Sequence, residues 1–225
     1  MFAHGLLRPV LVVLIAASAV SGQTAKQPKV QPGPSEPDLL VILDRLYGLR
    51  MFDDLLNPVT TTPEATAGLF HKAGPGQVTL TPILALGLVV PIHGGYYLAA
   101  EEGRADKELW SYAYKTTGRE IEEGKHSLPP LRQDSTTRFD PGEVAFGLWI
   151  GNDQFHDRVF TEPARVARSN PRLAKQPYKA MVYPVRDTKT GKAIPNSYLI
   201  CWEYSTNDDF QDVVCRVENV VLVKK

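Results

Sequence analysis

The sequence predicts an all-β protein, an antiparallel jelly-roll-like β-sandwich preceded by a short helix. Three observations predict it. From about residue 59 the chain falls into short apolar runs separated by Gly, Pro and Asp. No long helical pattern intervenes between those runs, which argues against parallel βαβ units. The clearest hairpin pattern is Asn196–Tyr204 with Phe210–Val220, where two runs rich in aromatic and β-branched residues flank a polar, acidic turn.

Residues 1–22 read as a secretory signal peptide. Arg8 supplies positive charge, Val10–Ile15 forms an apolar stretch, and Ala17-Ser-Ala19 or Val20-Ser-Gly22 offers small residues for cleavage. The apolar run is shorter than the ~20 residues a spanning helix needs, and no later segment is apolar enough, so the mature chain is expected to lack a transmembrane segment. Residues 23–37 carry Pro28, Pro32, Pro34 and Pro37 among polar side chains and read as a disordered, extended linker. Residues 38–58 form a helical lead-in. Asp38 is placed to cap it, Leu39, Ile42, Leu43, Leu46 and Tyr47 follow helical spacing, and Gly48 is a stop. Residues 59–225 make the β-sandwich domain.

Within that domain the predicted strands are 77–80, 84–91, 96–99, 109–115, 143–151, 158–161, 179–185, 197–204 and 213–223. Turns are expected at Gly74-Pro-Gly76, His93-Gly-Gly95, Gly151-Asn-Asp153 and 187–191. Residues 120–139, polar and broken by Pro129-Pro130, read as a long surface loop.

Acidic and basic residues balance at 25 each, and losing the leader removes only Arg8. That leaves no electrostatic footprint for nucleic acid. Arg165, Arg168, Arg172 and Lys175 read as a solvated face. Cys201 and Cys215 are the only cysteines, and export would place them in an oxidising compartment. Folding the hairpin about Asp208 sets them opposite each other, so a disulfide is expected; a one-residue slip would separate them. On the facing strand, Tyr198, Ile200, Trp202 and Tyr204 alternate toward one side of the sheet, with Trp202 in the core.

Glu203, Asp208, Asp209 and Asp212 crowd around the turn, and like charges so close repel unless something compensates. Two compensations are open. One is a hard cation: calcium takes about six to eight oxygens, and these four acids with Asn207 are the candidate metal ligands. The other is the backbone N–H groups that Asp and Asn side chains engage in tight turns. The histidines have no paired zinc spacing, and nucleophile-elbow, phosphate-loop and dinucleotide motifs are missing. A jelly-roll glycosidase would need only two carboxylates ~5–9 Å apart, for which Glu143, Glu162 and Glu203 are the candidates. Tyr96, Tyr97, Trp110, Tyr112, Tyr114, Trp149, Trp202 and Tyr204 could in principle stack on sugar, although aromatics at alternate strand positions are more often half-buried core.

Phe146-Gly-Leu-Trp149, Ile194-Pro-Asn-Ser-Tyr-Leu199, Glu203 and Asp209-Phe-Gln-Asp-Val-Val214 resemble the C-terminal module of secreted planctomycete- and acidobacterial-type proteins. That module is similar to domain-of-unknown-function family 4114. Ile42–Gly48 and Asp53-Asp54 resemble the segment before it. The resemblance implies an exported β-rich module, often attached to adhesins or matrix proteins, with no established catalytic activity, and its acidic positions fall on Glu203, Asp209 and Asp212. Tyr204, Ser205-Thr-Asn207 and Gln211 depart from the family's acid, glycine-rich turn and asparagine.

The combined expectation is a secreted, non-catalytic binding or structural module at the cell surface or outside. It would be periplasmic or extracellular, with calcium as the cofactor if a cation serves the turn, and with a cell-surface, matrix or glycan ligand. The alternative is a carbohydrate-active hydrolase using paired carboxylates. Export predicts a new N-terminus between Val20 and Gln23 in protein recovered from periplasm or medium. Intact-mass measurement checks this, and finding only the full-length chain in the cytosol would contradict it.

Overall fold

The computed structural model describes residues 39–49, 68–86, 90–100, 106–114, 128–152 and 158–223. The leader, the linker, Asp38 and the lead-in beyond residue 49 lie outside them. The strands are β1 (Phe70–Lys72), β2 (Val78–Ala85), β3 (Ile92–Leu98), β4 (Lys107–Ser111), β5 (Arg138–Phe139), β6 (Phe146–Asn152), β7 (Arg158–Phe160), β8 (Ala180–Arg186), β9 (Ala193–Trp202), β10 (Val213–Glu218) and β11 (Val220–Leu222). They form two antiparallel sheets, in the order β11-β1-β6-β3-β4 with β7 beside β6, and β5-β2-β10-β9-β8. The predicted sandwich is what these sheets build.

Period-two alternation fills the space between the sheets. Phe70, Tyr96, Trp110, Phe146, Leu148, Ile150, Ile200 and Trp202 all contribute to one buried cluster. The opposite face of the second sheet is covered by α1 (Leu39–Tyr47), whose Leu39, Ile42 and Leu43 share a second cluster with Leu199, Cys201, Phe210 and Val214. Leu46, which shares the helical spacing, is on the exposed side. Left-handed Gly48 (φ +59°) ends the helix, and the N–H groups of Gly48 and Leu49 return to the carbonyls of Asp44 and Leu43. On the other side of the molecule, α2 (Pro163–Ser169) puts Val166 against Tyr97, Trp149 and Phe160.

His93-Gly-Gly95 is not a turn. It lies inside β3, and its glycines are needed for close approach rather than for bending. A Cβ on Gly94 would fall 2.4 Å from the Trp110 ring, and one on Gly95 would fall 2.0 Å from the Lys107 carbonyl oxygen and 2.8 Å from the Trp149 ring. The two indoles thus press on opposite faces of one strand. The predicted strands 77–80 and 84–91 meet in the single β2, which ends at Ala85, and Pro82 sits beside a bulge in the ladder to β10.

The predicted long last strand is divided instead. Left-handed Asn219 (φ +63°) sends the chain from β10 in the second sheet to β11 in the first. Its side-chain amide donates to the carbonyls of Gly74, Pro75 and Gln77 at 3.3–3.4 Å, and its own carbonyl accepts from Ala73 N–H at 2.9 Å. The turn at Gly74–Gly76 also crosses between the sheets, from β1 to β2. One asparagine therefore ties both crossings together.

The expected disulfide is not formed. Cys201 pairs across the ladder with Val214, and Cys215 with Ile200, so the register is offset by one residue from the predicted fold about Asp208. A one-residue offset turns a side chain to the opposite face. Cys201 accordingly faces α1 while Cys215 faces the sandwich interior. Burial drives both thiol pKa values upward, which keeps the thiolate scarce. Thiol titration of the native protein should therefore be slow, and denaturing, non-reducing conditions should release two reactive thiols. Finding none would restore the bridge.

Candidate functional site

The carboxylates predicted to matter gather where β9 turns back into β10, over residues 203–212. Glu203 is 0% exposed and Asp209 2%. Burying an ionised carboxylate is costly unless hydrogen bonds replace its water, and here the chain itself replaces it. Glu203 Oε2 accepts the N–H groups of Asp209 at 3.0 Å and Phe210 at 3.3 Å, while Oε1 accepts the Ser205 hydroxyl at 2.6 Å. Two successive amides can meet one oxygen because Asp208 (φ +62°) and Phe210 (φ +55°) are left-handed, giving the concave N–H arrangement that favours anions. A left-handed Phe is strained, and the ring's full burial beside α1 and Leu199 holds it there.

The remaining acids are partnered in the same way. Asp209 accepts Gln211 N–H and the Gln211 side-chain amide, both at 3.3 Å, as well as the Asn207 amide. Asp212 Oδ2 accepts the N–H groups of Tyr204 at 2.5 Å and Ser205 at 3.2 Å. Asp208 accepts the Gln176 amide at 2.5 Å. Sequence reasoning missed Gln176 and Lys179. Lys179 is 0% exposed; its carbonyl accepts Glu203 N–H at 3.0 Å, extending the β8–β9 ladder, and its ammonium donates to the Ser205 carbonyl at 2.5 Å. Burial lowers the pKa of Lys179, and the charges of Glu203, Asp208 and Asp212 oppose that fall. For Asp212, burial first and the Glu203 charge second push the pKa up to about 7.

Calcium would need about six to eight convergent oxygens; here Glu203 and Asp209 direct both carboxylate oxygens, and Asp208 and Asp212 one each, at N–H or O–H donors. Among the described residues no group of three or more Asp, Glu, His or Cys is arranged to hold a metal. The second compensation open in the sequence, backbone donors, is present in this turn.

The candidate hydrolytic carboxylates have separate surroundings. Glu143 is exposed, 3.9 Å from Lys72; Glu162 accepts the Tyr97 hydroxyl at 2.8 Å at the start of α2; Glu203 is enclosed in the turn. The aromatic platform is interior: Trp110, Trp149 and Trp202 are fully buried, and of the eight residues only Tyr114 is classed as exposed. The basic cluster also departs from expectation at one position. Arg168, Arg172 and Lys175 are exposed, but Arg165 folds inward. Its guanidinium stacks 3.9 Å from the Tyr97 ring and pairs with Asp106 at 2.5 Å; Arg158 stacks 4.1 Å from Trp149 and takes the other Asp106 oxygen at 2.9 Å. No local pattern marks this clip, because Asp106 and Arg165 lie far apart in sequence. Comparison with family models, curated proteins and solved structures finds no match for this chain.

Asp212 carries a pH signature. Its folded-state pKa lies above its ordinary value, so its contribution to stability is full below about pH 4 and is lost as pH rises through about 7. Asp212→Asn keeps an acceptor for Tyr204 and Ser205 but cannot ionise. It should remove the decline in melting temperature between about pH 5 and pH 8, and melt higher than wild type at the upper end. Equal slopes in the two proteins would contradict this assignment.

Proposed function

We propose that this chain is an exported, non-catalytic β-sandwich module that serves as a binding or structural unit at the cell surface or outside the cell. The supporting observation is that the sandwich is filled with aromatic and aliphatic side chains while its buried acids are gathered at one hairpin and bonded to the chain. A hydrolase of this architecture would need two facing carboxylates with room for a sugar between them. Glu143, Glu162 and Glu203 each have different partners. The resemblance to the secreted module similar to family 4114 supports the same reading, as does the signal-like leader. The ligand class that fits such a module is a cell-surface, matrix or glycan ligand.

The test is a panel of chromogenic glycosides and polysaccharides, followed by a glycan and matrix-protein array with the same preparation. The expected result is no turnover above the Glu203→Gln and Glu162→Gln variants, with retention on an array ligand. Turnover that either substitution abolishes would replace this reading with the paired-carboxylate hydrolase.

A further inference from the structure

The turn of residues 203–212 presents an imbalance that its backbone donors do not remove. N–H groups solvate a carboxylate but carry no net charge, and Glu203, Asp208, Asp209 and Asp212 lie within one turn. Lys179 is brought to this place by the sheet: it stands one residue before β8, opposite Glu203, with which its backbone is bonded at 3.0 Å. Its side chain is buried and anchored on the carbonyl of Ser205, two residues beyond Glu203 in the turn. A buried ammonium is as costly as a buried carboxylate unless opposite charge surrounds it. The direct contact of the ammonium is the Ser205 carbonyl, and the charges of Glu203, Asp208 and Asp212 favour its charged form through space.

We propose that the Lys179 ammonium is the resident counter-cation of the β9–β10 turn and takes the role that the acidic pattern suggests for a divalent metal. A single positive charge on a tethered side chain suits this turn better than calcium does. The ammonium brings three donors and needs only a few acceptors, leaving the carboxylate oxygens available to the backbone. The turn then closes without an ion from solution, and β8 is joined electrostatically to the β9–β10 hairpin. This inference is independent of what ligand the module binds.

The test uses wild type, Lys179→Met, Asp212→Asn and the double variant, melted at neutral pH in chelator and in millimolar calcium. Wild type should melt at the same temperature in both media. Lys179→Met, which keeps the length and loses the charge, should melt on the order of 10 °C lower. Asp212→Asn should raise the melting temperature more in the Lys179→Met background than in wild type, because the carboxylate has lost its counter-cation. If Lys179→Met does not fold alone, recovery of folding in the double variant is that larger gain. The proposal is overturned by a calcium-dependent rise in wild type, by an unchanged melt of Lys179→Met, or by equal or absent gains from Asp212→Asn in the two backgrounds.

Discussion

The buried carboxylate of Glu203 is the constraint on which the rest of the second sheet depends. A carboxyl group at zero exposure must find hydrogen-bond partners within the chain, and Asp209 and Phe210 supply two of them from the backbone. They can do so only if the chain turns left-handed at Asp208 and again at Phe210. That geometry determines the span of the turn, so that Trp202 meets Val213 and every later pair of β9 and β10 follows. With that register, Ile200 and Trp202 enter the sandwich while Leu199 and Cys201 meet α1. The separation of the two cysteines is thus a consequence of where one carboxylate finds its hydrogen bonds.

Much of this architecture was legible in the sequence, and the exceptions have physical reasons. Alternation in Tyr198, Ile200 and Trp202 correctly assigned the inner face, because period two is unaffected by which partner strand lies alongside. The cysteine pairing needed the register itself, and an error of one residue reverses the answer. Glycine was ambiguous: His93-Gly-Gly95 has turn composition, yet the same lack of a Cβ lets Trp110 and Trp149 lie against a strand. Asn219 was hidden in a run that reads as one strand, since nothing nearby in sequence reveals that its amide will reach the carbonyls at Gly74–Gln77.

The site was legible in its members. All four predicted acids do meet at one turn, but a cluster of Asp and Glu looks alike in sequence whether its oxygens face a cation or the backbone. Two further residues of the site, Gln176 and Lys179, come from the segment before β8 and arrive through sheet pairing. On the opposite face, Asp106 gathers Arg158 and Arg165 over Trp149, Tyr97 and Phe160. A guanidinium stacked on a ring and forked to a carboxylate is held by more than a surface pair would be. Both outer faces are therefore fastened by buried or half-buried charge, and the interior between the sheets is left to apolar packing.

The most direct measurement is amide hydrogen exchange at Asp209 and Phe210. If Glu203 closes the turn, these two amides should be protected as well as those of β10, although they lie in a loop, and Glu203→Ala should release them before the strands on either side. Exchange in wild type as fast as at the exposed Asn207 amide would contradict the account, because the carboxylate would then not be holding the turn.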